Sequence, residues 1–358
     1  MSRYANRVAR LRKLLADQRL DAFIVTSLTH LRYLTGFTGS NGLGVVTRHA
    51  VFFLTDPRYR EQAAHQVRSA RRIFTHRPLL EAVAEHRCLS QCRRVGFESQ
   101  VLTYQQYRVL RKSFPRKLFV PTSGVVEKLL LVKDPDELDA MRAAMRITDS
   151  VFTEVIGLLR PGMREHDVAA EISYRHRRLG AEGDAFDPIV ASGERGSLPH
   201  ARASEKVIRK GDLVTLDFGC MVAGYHSDLT RTVAIGHATR RARDIHRLVR
   251  EAQEAALTAA RGGIRASELD AVARRVIADG GYGPAFSHSL GHGLGLHIHE
   301  RPRVSSLSNE TLTAGSVITV EPGIYIPGWG GVRIEDDILL TPTGSTVLTT
   351  APKDLMVL

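Results

Sequence analysis

The segment HSLGHGLGLHIHE, from His288 to Glu300, contains four histidines and three glycines within thirteen residues. Imidazoles bind metals and transfer protons near neutral pH, so this density is typical of a site that does one or the other. Neither H-E-x-x-H nor H-x-x-E-H occurs, which excludes the helical zinc-protease signatures. After Gly291 and Gly293, Leu296 stands where a dinucleotide-binding motif requires glycine, so that motif is excluded as well.

Carboxylates recur at matching positions of two similar segments. GDLVTLDFG (211–219) resembles GSVITVEPG (315–323), and both are β-rich runs that end in an acid, Asp217 in the first and Glu321 in the second. Upstream of each, a turn followed by a helix start is also shared, since PGMREHDVAAEI resembles GGIRASELDAVA. The similarity of these two pairs of segments, which occur in the same order, indicates an internal repeat.

Each half of the repeat carries a second acid on its next predicted strand, Asp228 in HSDLTRTVAIG and Glu335 in VRIEDDILLT. Two such halves, packed about a pseudo-twofold axis, would bring four carboxylates together. Four neighbouring anions repel one another, so protons or cations must compensate them. Divalent metals do this best, and a histidine from the His288–Glu300 segment would complete their ligands.

Each acid also has an ordinary structural interpretation when it is considered alone. Asp217 could cap a turn, Asp228 could pair with Arg231, and Glu335 could pair with Arg333. The equivalent placement of the acids within a repeat, with a histidine-rich segment between them, favours a shared metal site over four separate roles.

Several elements must position these residues. Residues 1–120 alternate short apolar runs with segments of helical spacing, which predicts an α/β domain. The predicted strands are DAFIVT, GLGVVT, AVFFLT, RRIFTH, RRVGFES and KLFVPT, and the predicted helices between them are DPRYREQAAHQV, RPLLEAVAEH and TYQQYRVLRKS. The turn-forming VPTSG, which ends at Gly124, predicts a domain boundary. A long helix starting at the Asp134-Pro135 signal and running up to Pro161 should open the second domain.

Composition excludes other classes of protein. The net charge of +12 is concentrated in residues 1–130, with 23 Lys and Arg against 8 Asp and Glu, whereas residues 131–358 carry 27 against 30. No long basic run or interleaved aromatic pattern accompanies this charge, so we expect no nucleic-acid partner. The sequence has no apolar run of eighteen residues, no signal-peptide pattern and only three cysteines. We therefore expect a cytoplasmic protein with no membrane partner.

Five motifs, spread over nearly the whole chain, resemble those of one family. They are YLTGFTGSNGLGVVT with LTDPRY, LPHARASEKVIRKGDLVTLDFG, SDLTRTVAIG, HSLGHGLGLHIHE and TVEPGIYIPGWGGVRIEDD. Together they resemble the proline-specific pita-bread metallopeptidases, the Xaa-Pro aminopeptidases and Xaa-Pro dipeptidases. The resemblance implies a creatinase-like, ribonuclease H-like α/β domain over residues 1–124. It also implies an α+β pita-bread catalytic domain, with an internal pseudo-twofold repeat, over residues 125–358.

The resemblance also implies the residues of the active site. Five metal ligands are expected for two divalent ions, most suitably Mn²⁺ with Co²⁺ or Zn²⁺ as alternatives: Asp217, Asp228, His292, Glu321 and Glu335. The expected catalytic residues are His200, His299 and Glu321. The expected substrate-binding residues are His200, His288, His299 and Arg333, with Arg333 also orienting Glu335. Glycines 291, 293 and 295 should let backbone and imidazoles approach the metals closely.

The activity implied by the resemblance is hydrolysis of the Xaa-Pro bond at the N-terminus of peptides, by an aminopeptidase that acts as a homodimer. The alternative is a dipeptidase, or prolidase, that cleaves dipeptides only. A metal-free creatinase-like hydrolase and a non-catalytic pita-bread binding protein are further alternatives, and the intact set of five ligands opposes both. Ala201 and His297 depart from the family pattern, and the second of these departures bears on substrate preference.

Overall fold

The computed structural model describes residues 2–358 and divides the chain into two compact units, which join between Leu130 and Leu131. This junction moves the predicted boundary from Gly124 to Leu130. The residues after Gly124 form a short helix that belongs to the first unit, because the carbonyl of Leu129 accepts hydrogen bonds from Arg10 and Tyr33.

The first unit, within residues 2–130, contains a six-stranded mixed sheet that confirms the predicted α/β class. Its strands match all six predicted runs and are β1 (Ala22–Val25), β2 (Leu43–Thr47), β3 (Val51–Thr55), β4 (Arg71–Phe74), β5 (Arg94–Glu98) and β6 (Leu118–Thr122). They lie in the order β4-β3-β2-β1-β5-β6, with β1 antiparallel to β2 and parallel to β5. The central strands β1 and β2 are buried along their whole length, so apolar runs rather than strict alternation encode them.

Three helices of the first unit match the predicted helical segments, and a fourth, at the start of the chain, carries Val8, Leu11 and Leu15 at helical spacing. The helices of this unit are α1 (Arg3–Asp17), α2 (Leu28–Thr35), α3 (Arg60–Gln66), α4 (Leu79–Glu85), α5 (Tyr104–Ser113) and α6 (Glu127–Leu130). Helices α6 and α2 were not predicted, and α2 is only eight residues long. The Ser27 hydroxyl caps its first turn, and Gly36, at φ 83°, ends it in the left-handed conformation that glycine adopts easily.

The second unit confirms the internal repeat. The two halves begin with the helix pairs α7 (Pro135–Leu158) with α8 (Glu165–Arg178), and α9 (Arg240–Ala259) with α10 (Ala266–Asp279). Matching glycines, Gly162 at φ 97° and Gly263 at φ 89°, turn the chain between the helices of each pair. A further matching pair, Gly211 at φ 90° and Gly315 at φ 89°, precedes the acid-bearing strands. Equivalent left-handed turns therefore deliver equivalent strands to the centre of the unit.

Antiparallel strands form the sheets of the second unit. They are β7 (Gly183–Asp184), β8 (Ile189–Ser192), β9 (Leu213–Phe218), β10 (Cys220–Val222), β11 (Tyr225–His226), β12 (Leu229–Ala234), β13 (Gly291–Gly293), β14 (Glu300–Val304), β15 (Val317–Val320), β16 (Gly323–Ile326), β17 (Gly330–Arg333), β18 (Asp336–Leu340) and β19 (Ser345–Val347). The two sheets that matter for the site have the orders β12-β9-β8 and β14-β13-β15-β18-β19. The two acid-bearing strands, β9 and β15, each pack against a different apolar core. No helix within residues 2–358 combines the length and the apolar composition needed to cross a bilayer.

Candidate metal centre

Two adjacent strands of the first half hold Asp217 and Asp228. Asp217 lies near the end of β9, and Thr230 of β12 is its antiparallel partner. Asp228 lies directly before β12, and its backbone N–H donates to Asp337 Oδ2 at 2.9 Å. Both aspartates are buried, at 7% and 5% exposure. The pairing of β9 with β12 therefore places two carboxylates side by side at one end of a buried sheet.

The second half holds Glu321 and Glu335 in the same way. Glu321 follows β15 and Glu335 precedes β18, and these two strands pair with Val320 opposite Asp336. The halves meet at Glu335, whose backbone N–H donates to the Thr230 carbonyl at 3.1 Å, while the Thr230 hydroxyl donates to Glu335 Oε2 at 2.6 Å. The repeat thus brings its two acid pairs to one place.

His292, on β13, is held as a neutral imidazole that faces the carboxylates. Burial lowers the pKa of His292 to about 4. Its Nδ1 lies 3.0 Å from the Gly293 carbonyl, and a carbonyl only accepts, so Nδ1 carries the proton. The lone pair of Nε2 is then directed towards the acids, 3.6 Å from Asp228 Oδ2 and 3.5 Å from Glu321 Oε1. This is the tautomer a metal ligand requires.

The structure brings four of the predicted ligands close together. One ligand atom from each of Asp228, His292 and Glu335 lies within 4.8 Å of the other two, and Glu321 approaches the same imidazole nitrogen. Burial, followed by the repulsion of Glu335 and the neighbouring acids, raises the pKa of Asp228 well above its ordinary value. Burial likewise raises the pKa of Glu335 strongly and that of Glu321 to about 7.

Asp217 joins the group through Arg333. Burial raises the pKa of Asp217, although an ion pair between Asp217 Oδ2 and the Arg333 guanidinium opposes the rise. Arg333 reaches Glu335 through Thr230, because Arg333 Nε donates to the Thr230 hydroxyl and that hydroxyl donates to Glu335, whereas Arg333 binds Asp217 directly. Arg333 is only 3% exposed, and it also donates to the Thr230 and Tyr325 hydroxyls and to the Pro199 carbonyl. These contacts make Arg333 a support for the acids.

These residues fit divalent cations. Asp217 Oδ1 and Asp228 Oδ1 are buried and have no hydrogen-bond partner among residues 2–358. Buried polar atoms are otherwise almost always paired, so each of these oxygens is available to bind a cation. A set of four carboxylates and one neutral imidazole nitrogen is a hard, oxygen-rich ligand set of the kind that Mn²⁺ prefers.

Three more histidines surround the acids. His299 is exposed, and its ring packs edge-to-face on His292 with centroids 4.4 Å apart. His200 is also exposed, and its charge lowers the pKa of His299 after the larger effect of burial. His288 packs on Phe286 and binds the Tyr325 hydroxyl at 2.9 Å, and burial lowers the pKa of His288 to about 4. His299 and His200 are therefore open to a substrate, whereas His288 is half-buried beside an aromatic surface.

Sequence reasoning did not identify three residues that support the acids. Thr230 bridges Glu335 and Arg333, and Tyr325 links Arg333 to His288. Asp337 is wholly buried and accepts the backbone N–H of Asp228. Of these three residues, only Asp337 could have been recognised in the sequence, because a third consecutive acid in the run EDD on an apolar strand is unusual.

The glycines of the histidine segment are required by neighbouring backbone. A Cβ atom on Gly291 would lie 2.1 Å from the Thr319 carbonyl oxygen, and one on Gly293 would lie 2.2 Å from that of Arg301. These residues therefore let β13 insert between its neighbouring strands, which is what places His292 among the acids. The predicted role, close approach of the backbone to metals, stays a prediction.

A repeated strand unit that encloses four carboxylates and a neutral histidine is an arrangement suited to metal-dependent hydrolysis. Comparison with known proteins agrees. Residues 139–342 match the family model described as metallopeptidase family M24, and residues 7–132 match that of the creatinase/prolidase N-terminal domain. The chain belongs to metallopeptidase family M24 and is a peptidase of the Xaa-Pro aminopeptidase or dipeptidase type.

Relatives with solved structures support the same assignment. The Xaa-Pro dipeptidase from Bacillus anthracis superposes with a TM-score of 0.96 at 40% identity, over 99% of this chain and 100% of that one. The X-Pro aminopeptidase from Thermotoga maritima gives a TM-score of 0.93 at 35% identity, over 98% and 100%. In sequence, the Xaa-Pro dipeptidase of Pyrococcus horikoshii is 43% identical over 76% of this chain and 77% of its own length.

Proposed function

We propose that this chain is an Xaa-Pro dipeptidase that binds two divalent cations, with Mn²⁺ the best match and Co²⁺ or Zn²⁺ as alternatives, through Asp217, Asp228, His292, Glu321 and Glu335. The observation that carries the proposal is the cluster in which ligand atoms of Asp228, His292 and Glu335 lie within 4.8 Å of one another. When bound, such cations polarise a carbonyl group and lower the pKa of a water towards about 7.

The residues around the cluster supply the remaining chemistry. We assign to the His299 imidazole N–H a hydrogen bond to the scissile carbonyl oxygen as that oxygen gains negative charge. Glu321 takes the proton of the attacking water on a carboxylate oxygen and passes it to the proline nitrogen, with His200 as the alternative carrier. We assign the contact with the proline ring to the half-buried His288, whose ring packs on the buried Phe286 with centroids 5.2 Å apart.

A free cation beside the cluster favours the dipeptidase over the aminopeptidase. Arg303 of β14 is the cross-strand partner of His292, and directly opposed residues present their side chains on the same face of the sheet. The Arg303 side chain is exposed, and within residues 2–358 it makes no hydrogen bond or ion pair. A guanidinium in this position matches the C-terminal carboxylate of a dipeptide, which lies one residue beyond the scissile bond. A longer peptide has no carboxylate there.

The test compares Gly-Pro with Gly-Pro-Ala, using the Mn²⁺-loaded protein and a sample treated with EDTA as the control. We expect the Mn²⁺-loaded protein to hydrolyse Gly-Pro faster than Gly-Pro-Ala. An Arg303→Met variant should have a raised KM for Gly-Pro but not for Gly-Pro-Ala. Hydrolysis of Gly-Pro-Ala but not of Gly-Pro would instead establish the aminopeptidase. Equal activity after EDTA treatment would contradict a metal-dependent reaction.

We also propose that the protein is a homodimer. Support comes from the charge of its two parts, since residues 1–130 are strongly basic while residues 131–358 are slightly acidic. Opposite net charges favour association between the first part of one subunit and the second part of another. Light scattering tests this directly, and a particle with the mass of one 39.6 kDa chain would contradict it.

A further inference from the structure

The segment 193–203, which contains His200, is closed at both of its ends by one buried carboxylate. Glu165, the first residue of α8, is wholly buried. Its Oε1 accepts the backbone N–H and the hydroxyl of Ser192, both at 2.8 Å. Its Oε2 accepts the backbone N–H of Ser204 at 3.1 Å and the Ser204 hydroxyl at 2.6 Å. Ser192 and Ser204 flank the segment, so Glu165 fixes the positions of both of its ends.

A cation from within the segment completes this arrangement. Arg195 Nε donates to Glu165 Oε2 at 3.0 Å, and the same guanidinium donates to the Arg202 carbonyl at 2.6 Å. Lys206 Nζ, beyond the far end, donates to the Ser192 hydroxyl at 2.8 Å. The buried negative charge of Glu165 is therefore paired and fully hydrogen-bonded, which is the condition under which a buried carboxylate stabilises its surroundings.

The segment also rests against the strand that carries Arg333. A Cβ on Gly331 would lie 2.1 Å from the Gly196 carbonyl oxygen, and one on Gly330 would lie 2.8 Å from the Gly193 carbonyl oxygen. Arg333 donates to the carbonyl of Pro199, the residue before His200, at 3.2 Å. A shift of the segment would therefore move His200 relative to the acids.

We propose that Glu165 is a positioning residue for His200. This inference rests on the proposed function in one respect, namely that His200 acts on the substrate. Charge-assisted hydrogen bonds are about twice as strong as neutral ones, and Glu165 provides them at both ends of a loop whose closure costs conformational entropy. Without its carboxylate, the donors of Ser192, which is buried, and of Ser204, which is half-buried, lose their acceptor. The exposed His200 then samples positions away from the substrate.

The first test measures hydrogen exchange in the Mn²⁺-loaded protein and its Glu165→Gln variant. Glutamine keeps the volume but offers one acceptor oxygen instead of two. We expect amide exchange in 193–203 to accelerate about tenfold or more, while strand β9 exchanges as in the wild type. The matched control is Glu194→Gln, which removes an exposed charge from the same segment and should change neither. Unchanged exchange in 193–203, or acceleration throughout the second unit, would overturn the proposal.

The second test asks whether Glu165 acts through His200. With Gly-Pro as substrate and metal content checked, we expect Glu165→Gln to lower kcat/KM roughly 10²-fold in the wild type but less than about twofold in a His200→Ala background. Equal losses in both backgrounds, or loss of bound metal, would show a structural role only and overturn the proposal. If Glu165→Gln does not fold, Ser204→Ala removes the hydroxyl that donates to Glu165 and accepts from the backbone N–H of Lys206, and it is judged by the same two comparisons.

Failure of the proposed function would look different. A wild-type protein that does not cleave Gly-Pro would refute the dipeptidase, and the exchange measurement would still decide whether Glu165 holds segment 193–203 in place.

Discussion

Replacing Thr230 by valine tests how the two halves of the repeat are joined. Thr230 is wholly buried, and its hydroxyl donates to Glu335 Oε2 at 2.6 Å while accepting from Arg333 Nε at 3.0 Å. Valine has nearly the same shape but can do neither. One lost bond involves a charged guanidinium and the other a carboxyl group, so we expect the free energy of unfolding to fall by about 2–4 kcal/mol.

The assay is guanidinium chloride unfolding of the metal-free protein, followed through the fluorescence of Trp329. This residue is the only tryptophan of the chain, and it packs against the core of the second unit. Thr215→Val is the matched control, because Thr215 is buried on the neighbouring strand and, within residues 2–358, its hydroxyl contacts only that of Thr232, at 3.4 Å. We expect the control to lose less than about 1 kcal/mol.

A second readout concerns the metal. Because the Thr230 hydroxyl orients the carboxylate of Glu335, we expect Thr230→Val to weaken Mn²⁺ binding by about tenfold or more, measured by calorimetric titration. Thr215→Val should bind Mn²⁺ as the wild type does. Equal stabilities of the two variants, within about 0.5 kcal/mol, together with equal Mn²⁺ affinities would refute the reasoning.

Three further changes have distinct expected results. Asp228→Ala or Glu335→Ala should abolish hydrolysis and lower the metal content, and wild-type activity with two bound ions would reject the ligand assignment. His299→Ala should keep its metal but lose about 10²–10³ in kcat, whereas loss of metal would make His299 a ligand. Burial lowers the pKa of His246 to about 4. Below about pH 6.5 the unfolded chain therefore takes up a proton that the folded chain does not, and the free energy of unfolding decreases as the pH is lowered. Between pH 7 and 5 the wild type should lose about 2 kcal/mol more than His246→Gln in denaturant titrations, and equal losses would contradict this shift.

The elements of the fold could be predicted where local pattern and tertiary structure agree. The six strands of the first unit and the long helix α7 match apolar runs and helical spacing, and α7 begins at the Asp134 capping box. Helix α2 was missed because it is only eight residues long, too short for a clear helical pattern, although Ser27 and Gly36 mark its ends. The domain boundary was placed at Gly124 because turn residues signal it, whereas contacts made by the carbonyl of Leu129 decide it.

The site could be predicted in part, for a physical reason. Asp217 and Glu321 end equivalent strands, so the repeat alone predicts that their segments meet. The ion pair of Arg333 with Asp217 could not be predicted, because the two residues lie on strands of different sheets. Glu165 gave no signal, since a glutamate in the first turn of a helix has an ordinary explanation in the helix dipole.

The most direct test of the central claim is anomalous diffraction at the manganese absorption edge, from crystals of the protein grown with Mn²⁺. We predict two manganese peaks within coordinating distance of the carboxylates of Asp228 and Glu335, with the Nε2 atom of His292 bound to one of them. A map without manganese at these residues, or with manganese bound only elsewhere in the chain, would contradict the account.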